Sequence, residues 1–146
     1  MGFSMKNVFS PSDKYEDVRN INIYLLRGLF FLTCFVLGRQ VWTFIFSHSG
    51  AWESEQAVAY CVFAGFTLLA FLGMINPIKM LPLLFLEIIY KVLWLYLVAY
   101  PVWFSNQAVS ATVESRIFAF SLVLIPIVIM PWKYAYKTYI RDITQA

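Results

Sequence analysis

Residues 76–104, NPIKMLPLLFLEIIYKVLWLYLVAYPVWF, read as a tight turn followed by one long apolar helix. Asn76-Pro77 closes the segment before it, because proline cannot continue a helix and biases its predecessor away from the helical region. Pro82 falls in the first turn of the new helix, where a missing N–H costs nothing, and Pro101 falls in the last. The helix expected over about 80–104 exceeds the ~20 residues that cross a bilayer's hydrocarbon. It nevertheless carries Glu87 and Lys91, four residues apart, well inside it.

On a 100° wheel Met80, Leu84, Glu87, Lys91, Trp94 and Val98 lie within about 80° of one another. Glu87 and Lys91 are therefore neighbours, in the favoured Glu-then-Lys order. Counted at the usual helical rise, Glu87 lies about 10 Å and Lys91 about 16 Å in from the near face. A charge at the bilayer centre costs about 2.5–3.5 kcal/mol on insertion scales. The fourteen Leu, Ile, Val and Phe residues of the helix over 80–104 return on the order of 4–8 kcal/mol. Two unpaired charges would cancel much of that gain, so this face is expected to meet protein or a small hydrated cavity rather than lipid.

Working outward, residues 57–75 form a second span that ends at Asn76-Pro77. The connection over 76–79 is short, which predicts antiparallel neighbours. Ala57, Cys61 and Gly65 recur at i+4 and suggest a small-residue packing face; Tyr60 and Thr67 can offer hydroxyls inward. Before it, a first span is expected over about 21–46, with Trp42 and Phe46 near its far end. Arg27 can snorkel to the headgroups, whereas Arg39 lies about 18 Å further along the axis. Arg39 either snorkels outward or joins Glu87 and Lys91 in a cluster of net charge +1. After the central stretch comes a fourth span over about 117–132, which Pro126 should kink, freeing a backbone carbonyl. The loops over 47–56 and 105–116 are polar; the lone histidine, His48, with Glu53 and Glu55, reads as a solvated loop and not a metal site.

The ends are short. Residues 1–20 hold no apolar core, so no cleavable signal peptide is expected there, and Lys6 stands where a myristoylation signal would want Ser or Thr. Asp13 with Glu16 suggests a capping box and a short helix over 14–20. The tail over 133–146 places Lys133, Lys137 and Arg141 at i+4 intervals, an amphipathic outline suited to anionic headgroups.

Composition agrees with this layout. The 146 residues are 61% hydrophobic and 13% charged, with mean hydropathy +0.70, against about 25% charged for a soluble domain. The five Trp and nine Tyr suit two membrane interfaces. Lys6, Lys14, Arg19, Arg27, Lys79, Lys133, Lys137 and Arg141 fall on the side of the termini, and only Arg116 on the other. The positive-inside rule then puts both termini in the cytoplasm. The basic balance reports orientation and not nucleic-acid binding. Cys34 and Cys61 lie in apolar segments at different depths, which argues against a disulfide.

The fold expected is all-α: a four-helix transmembrane bundle over 21–132, with both termini cytoplasmic and a short juxtamembrane helix at each end. The charged face has three readings. It can be a self-neutralised pair that sets helix register. It can be a ligand site, where Arg39, Glu87 and Lys91, flanked by Tyr90, Trp94 and Tyr96, receive an anionic lipid or small hydrophobic anion. It can be catalytic, with Glu87 accepting a proton, although no second carboxylate, histidine cluster or activated nucleophile supports that. No cofactor or metal is implied. The leading expectation is a non-enzymatic membrane protein that binds a small ligand, a lipid or a partner membrane protein. The alternative is a small membrane enzyme or carrier acting on a hydrophobic anionic molecule, and a carrier this small is expected to be a homo-oligomer.

Pro77, Lys79, Met80, Leu81, Pro82 and Leu83, followed by Glu87, Lys91, Trp94 and the Pro101-Val-Trp103 run, resemble a family of short bacterial four-helix membrane proteins. Met130-Pro131-Trp132-Lys133-Tyr134 is similar to the ending of the fourth helix there. The resemblance covers about 70–140. It implies a bacterial inner-membrane protein and no particular activity. The four-span layout is also generically like that of DoxX-type proteins, without their motifs.

Overall fold

In the computed structural model, residues 10, 12, 15, 17–105 and 110–141 are described, and the chain is 82% helical with no strand among them. Four helices are long and apolar enough to cross a membrane: α1 (Asn20–Ser47), α2 (Ser54–Ile75), α3 (Leu81–Phe104) and α4 (Ala111–Ile129). A fifth, α5, runs through Trp132–Tyr136 and continues in π-helical geometry over Lys137–Arg141.

The ends of α1 and α3 fall within a residue of expectation, and the other helices differ for local reasons. α2 begins three residues early: Glu53 is extended, and Glu55 stands in the first turn, where a carboxylate meets the positive end of the helix dipole. α4 begins at Ala111 rather than 117, because the Ser110 hydroxyl accepts a bond from the Val113 N–H and caps it. It ends at Ile129, so Trp132 opens α5 instead of closing α4.

The described residues before α1 are not helical, contrary to the helix expected over 14–20. The Ser12 N–H donates to the Val18 carbonyl at 2.8 Å, and the Asn20 N–H to the Ser10 carbonyl at 3.1 Å. Asp17 sits at φ 66°, a left-handed conformation that a helix cannot contain and that Asp tolerates better than most residues. The capping box at Asp13 and Glu16 lies outside the described residues, as do Lys6 and Lys14.

Prolines mark two irregularities. Pro126 cannot bond to the Leu122 carbonyl, and α4 breaks at Leu122–Val123. The Ile125 N–H takes up that carbonyl at 3.0 Å instead, a 3₁₀-type bond that leaves the kink satisfied. Pro101 removes the bond to Leu97, and α3 widens into a π-helical turn over Leu95–Ala99. α1 has a similar turn over Thr33–Leu37, directly before Gly38.

The chain divides into two compact units. The first holds α1, α2, the turn over 76–80, the start of α3 and α5. Its core joins Leu26, Phe30 and Val41 of α1 to Phe66, Thr67 and Ala70 of α2. The ring of Phe30 lies over Gly73, where a Cβ would stand 2.6–2.7 Å from ring carbons. The small-residue face expected at Ala57, Cys61 and Gly65 is not the one used: Cys61 and Gly65 are exposed, and nothing lies within 4 Å of a Cβ at Gly65. Ala64, Thr67, Ala70 and Gly73 pack instead, because the bulk of Phe30 and the indole of Trp42 need that face. The Trp42 Nε1–H donates to Thr67 Oγ1 at 3.1 Å, and that hydroxyl donates to the Ala64 carbonyl at 2.8 Å.

At one end of this unit the chain's two terminal stretches meet. Lys133 pairs with Asp17 at 2.6 Å, and the hydrogen bond from Lys133 holds the exposed Asp17 carboxyl below the usual carboxylate range. Tyr15 packs edge-on against Tyr134, and the Tyr139 hydroxyl donates to the Ile78 carbonyl at 3.4 Å. Val18, Ile78 and Ala135 are buried there. At the α1–α2 loop, Gly50 takes φ 103°. His48 is not solvated as expected: its ring lies 3.9 Å from that of Trp52, with Phe44 and Tyr60 stacked beside them.

The second unit holds α3 from Leu84 onward and α4. α4 packs on the widened turn of α3, and Leu84, Ala99, Val123 and Met130 are buried.

Candidate functional site

The wheel face of α3 is its buried face. Leu84 and Glu87 are inaccessible, and Lys91, Trp94 and Val98 are half-buried. Leu86, Ile89, Leu93, Tyr96 and Leu97 on the other sides are exposed, as a lipid-facing helix surface should be. With α3 starting at Leu81, Glu87 lies about 9 Å and Lys91 about 15 Å along its axis.

One helical turn brings the two charges together. Lys91 Nζ donates to Glu87 Oε1 at 2.5 Å. Glu87 as a whole is 3% exposed, and its second oxygen, Oε2, is buried with no hydrogen-bond partner among the described residues. An ammonium has three donors, of which Lys91 uses one here. The site is therefore half-satisfied: neutral in sum, with two spare N–H donors on one side and one spare acceptor on the other. A buried carboxylate oxygen without a donor costs about 1–3 kcal/mol or more, which is what a ligand or a water can relieve.

Tyr90 and Trp94 flank the pair through a residue the sequence reading missed. Phe120 of α4 meets the Trp94 ring edge-on at 4.6 Å and the Tyr90 ring at 5.9 Å. Nothing in the local sequence marks Phe120 among the aromatics of α4; only the packing on α3 selects it.

Glu87, Tyr90, Lys91 and Trp94 thus share one unit, and Arg39 belongs to the other. Arg39 is exposed on α1 and makes no ion pair or hydrogen bond among the described residues. It borders two grooves on its own unit. One, of about 700 Å³, runs along α1 from Phe35 to Ser47; the other, of about 400 Å³, lies between α1 and α2 beside Leu68 and Phe71. Among the described residues no three His, Cys, Asp or Glu side chains converge, and both cysteines are free thiols.

Fold and site define a class: an all-α protein with four helices fit to cross a membrane and an ion pair buried in the third. No family model, no curated protein and no solved structure matches the chain.

Proposed function

We propose that this chain is a multi-pass protein of the bacterial inner membrane, with both termini in the cytoplasm, and that it is a non-enzymatic binding protein. Its site is the Glu87–Lys91 pair, flanked by Tyr90 and Trp94. The observation that carries this reading is the half-satisfied pair inside a span, with Oε2 buried and unpartnered. The spare Lys91 donors suit an anionic oxygen, and Oε2 suits a hydroxyl or ammonium on the same molecule. A small amphiphile or lipid whose head carries both groups fits best.

Lys91→Met tests it. The variant removes the donors while leaving a straight apolar side chain of similar length, so helix packing should survive. Mass spectrometry of the protein extracted in mild detergent should show one amphiphile, bound to the native chain, lost from the variant. An unchanged set of co-purifying molecules would reduce the pair to a register-fixing role. Orientation is tested separately. A cysteine placed at Ser47 in a chain lacking Cys34 and Cys61 should react with an impermeant reagent only from the outer side, and labelling from the cytoplasm would reverse the topology.

A further inference from the structure

α1 is longer than a membrane is thick, and Arg39 sits where that excess matters. Its 28 residues span about 42 Å against ~30 Å of hydrocarbon. Centred, about 6 Å stands in the headgroup layer at the Ser47 end, and Arg39 lies about 6 Å below the hydrocarbon surface. A guanidinium at that depth can rise along its own side chain to the interface.

The surroundings of Arg39 change character along the helix. Toward Ser47 the groove mixes the apolar Phe35, Val36 and Phe44 with unpaired polar side chains: among the described residues Arg39, Gln40 and Thr43 make no hydrogen bond or ion pair, and Ser47 bonds only the Phe44 carbonyl. Away from that end, the groove between α1 and α2 is apolar, bordered by Cys34, Phe35, Leu68 and Phe71. Arg39 and Phe35 line both. Unpartnered donors at the interface run into an apolar trough that leads toward the bilayer middle.

We infer that this surface holds one phospholipid, its phosphate on Arg39 with Gln40 and Thr43, and one acyl chain in the trough beside Leu68 and Phe71. The occupant follows from charge and order. No carboxylate lines either groove, so the cation calls for an external anion. Guanidinium–phosphate bonding is bidentate and strong. Unpaired polar groups near the Ser47 end, followed by an apolar trough, match a phospholipid taken from head to tail. An anionic head such as phosphatidylglycerol also neutralises the single positive charge and should be preferred over phosphatidylcholine. This site is separate from the Glu87–Lys91 pair and does not depend on it.

Native mass spectrometry of the full chain, titrated with phosphatidylglycerol, tests the inference. The native chain should carry a lipid adduct that Arg39→Gln weakens about tenfold, the effect of losing one charge-assisted bond, and that Arg39→Lys partly restores. Leu68→Trp, which fills the trough and leaves the donors alone, should weaken it by a similar factor; it also carries the test if Arg39→Gln fails to fold by circular dichroism. Undiminished binding in a folded Arg39→Gln or in Leu68→Trp overturns the proposal. So does displacement of the lipid by millimolar inorganic phosphate, which would mean a free-anion site. A lipid-independent dimer that dissociates in Arg39→Gln would make the face a contact between copies and would likewise overturn it.

Discussion

Glu87→Ala is expected to lower the thermal stability of the detergent-solubilised protein by about 3–5 kcal/mol, the range for removing one member of a buried ion pair. Lys91 contacts the carboxylate at 2.5 Å and its side chain is largely buried, so truncation leaves the ammonium without its acidic partner. Regaining a partner would require α3 to bend until the ammonium reaches water, which costs folding free energy. The double variant Glu87→Ala, Lys91→Met should recover most of the loss, because an apolar pair needs no partner. Following the melting transition by near-ultraviolet circular dichroism separates the outcomes. An unchanged single variant would mean that the pair contributes nothing to the fold, and a double variant as unstable as the single would mean that the carboxylate serves some other neighbour.

Gly73→Ala should destabilise by about 1–3 kcal/mol, the usual cost of overpacking a filled core. The added carbon would sit 2.6–2.7 Å from Cγ, Cδ1 and Cδ2 of Phe30. These atoms lie at the base of the ring, which cannot swing clear as a flexible tip would, and Phe30 is 1% exposed. Either α1 and α2 separate or the ring leaves its rotamer. Phe30→Leu on the same chain should relieve the clash and restore much of the loss. Gly65→Ala is the matching control: that position has nothing within 4 Å, so its melting should stay within about 0.5 kcal/mol of the native protein. Equal effects at the two glycines would disprove the packing of α1 on α2 described above.

The two glycines show where sequence reading stops. α2 carries small residues on two stripes, and a period of 3.6 favours neither. The stripe that packs is chosen by Phe30 and Trp42 of α1, residues that are far away in the chain and carry no local mark of their role. Arg39 is a similar case. Axial counting could place it near the charged pair or near a headgroup, and its exposure, its missing partners and the grooves on either side come only from the packing of α1 on α2. The capping-box spacing of Asp13 and Glu16 suggests a helix over 14–20. Asp17 prevents this with a left-handed backbone conformation, held by its pairing with Lys133 and by the bonds from Ser12 to Val18 and from Asn20 to Ser10. α4 began earlier than expected because a Ser N-cap outweighed the polarity of Thr112, Glu114 and Arg116.

By itself the sequence determined the all-α class, its four helices long and apolar enough to cross a membrane, and the pairing of Glu87 with Lys91. Those depend on local quantities: a run of apolar residues long enough to cross hydrocarbon, prolines that end or kink a helix, and a four-residue spacing that puts two charges on one face. Tertiary structure alone decided that Glu87 keeps a buried oxygen without a partner, that Phe120 is the aromatic against Tyr90 and Trp94, and that Gly73 rather than Gly65 receives a neighbouring ring. In each case the physical reason is the same. Burial and hydrogen-bond satisfaction are properties of what stands opposite a side chain, and the residue opposite comes from a distant part of the chain.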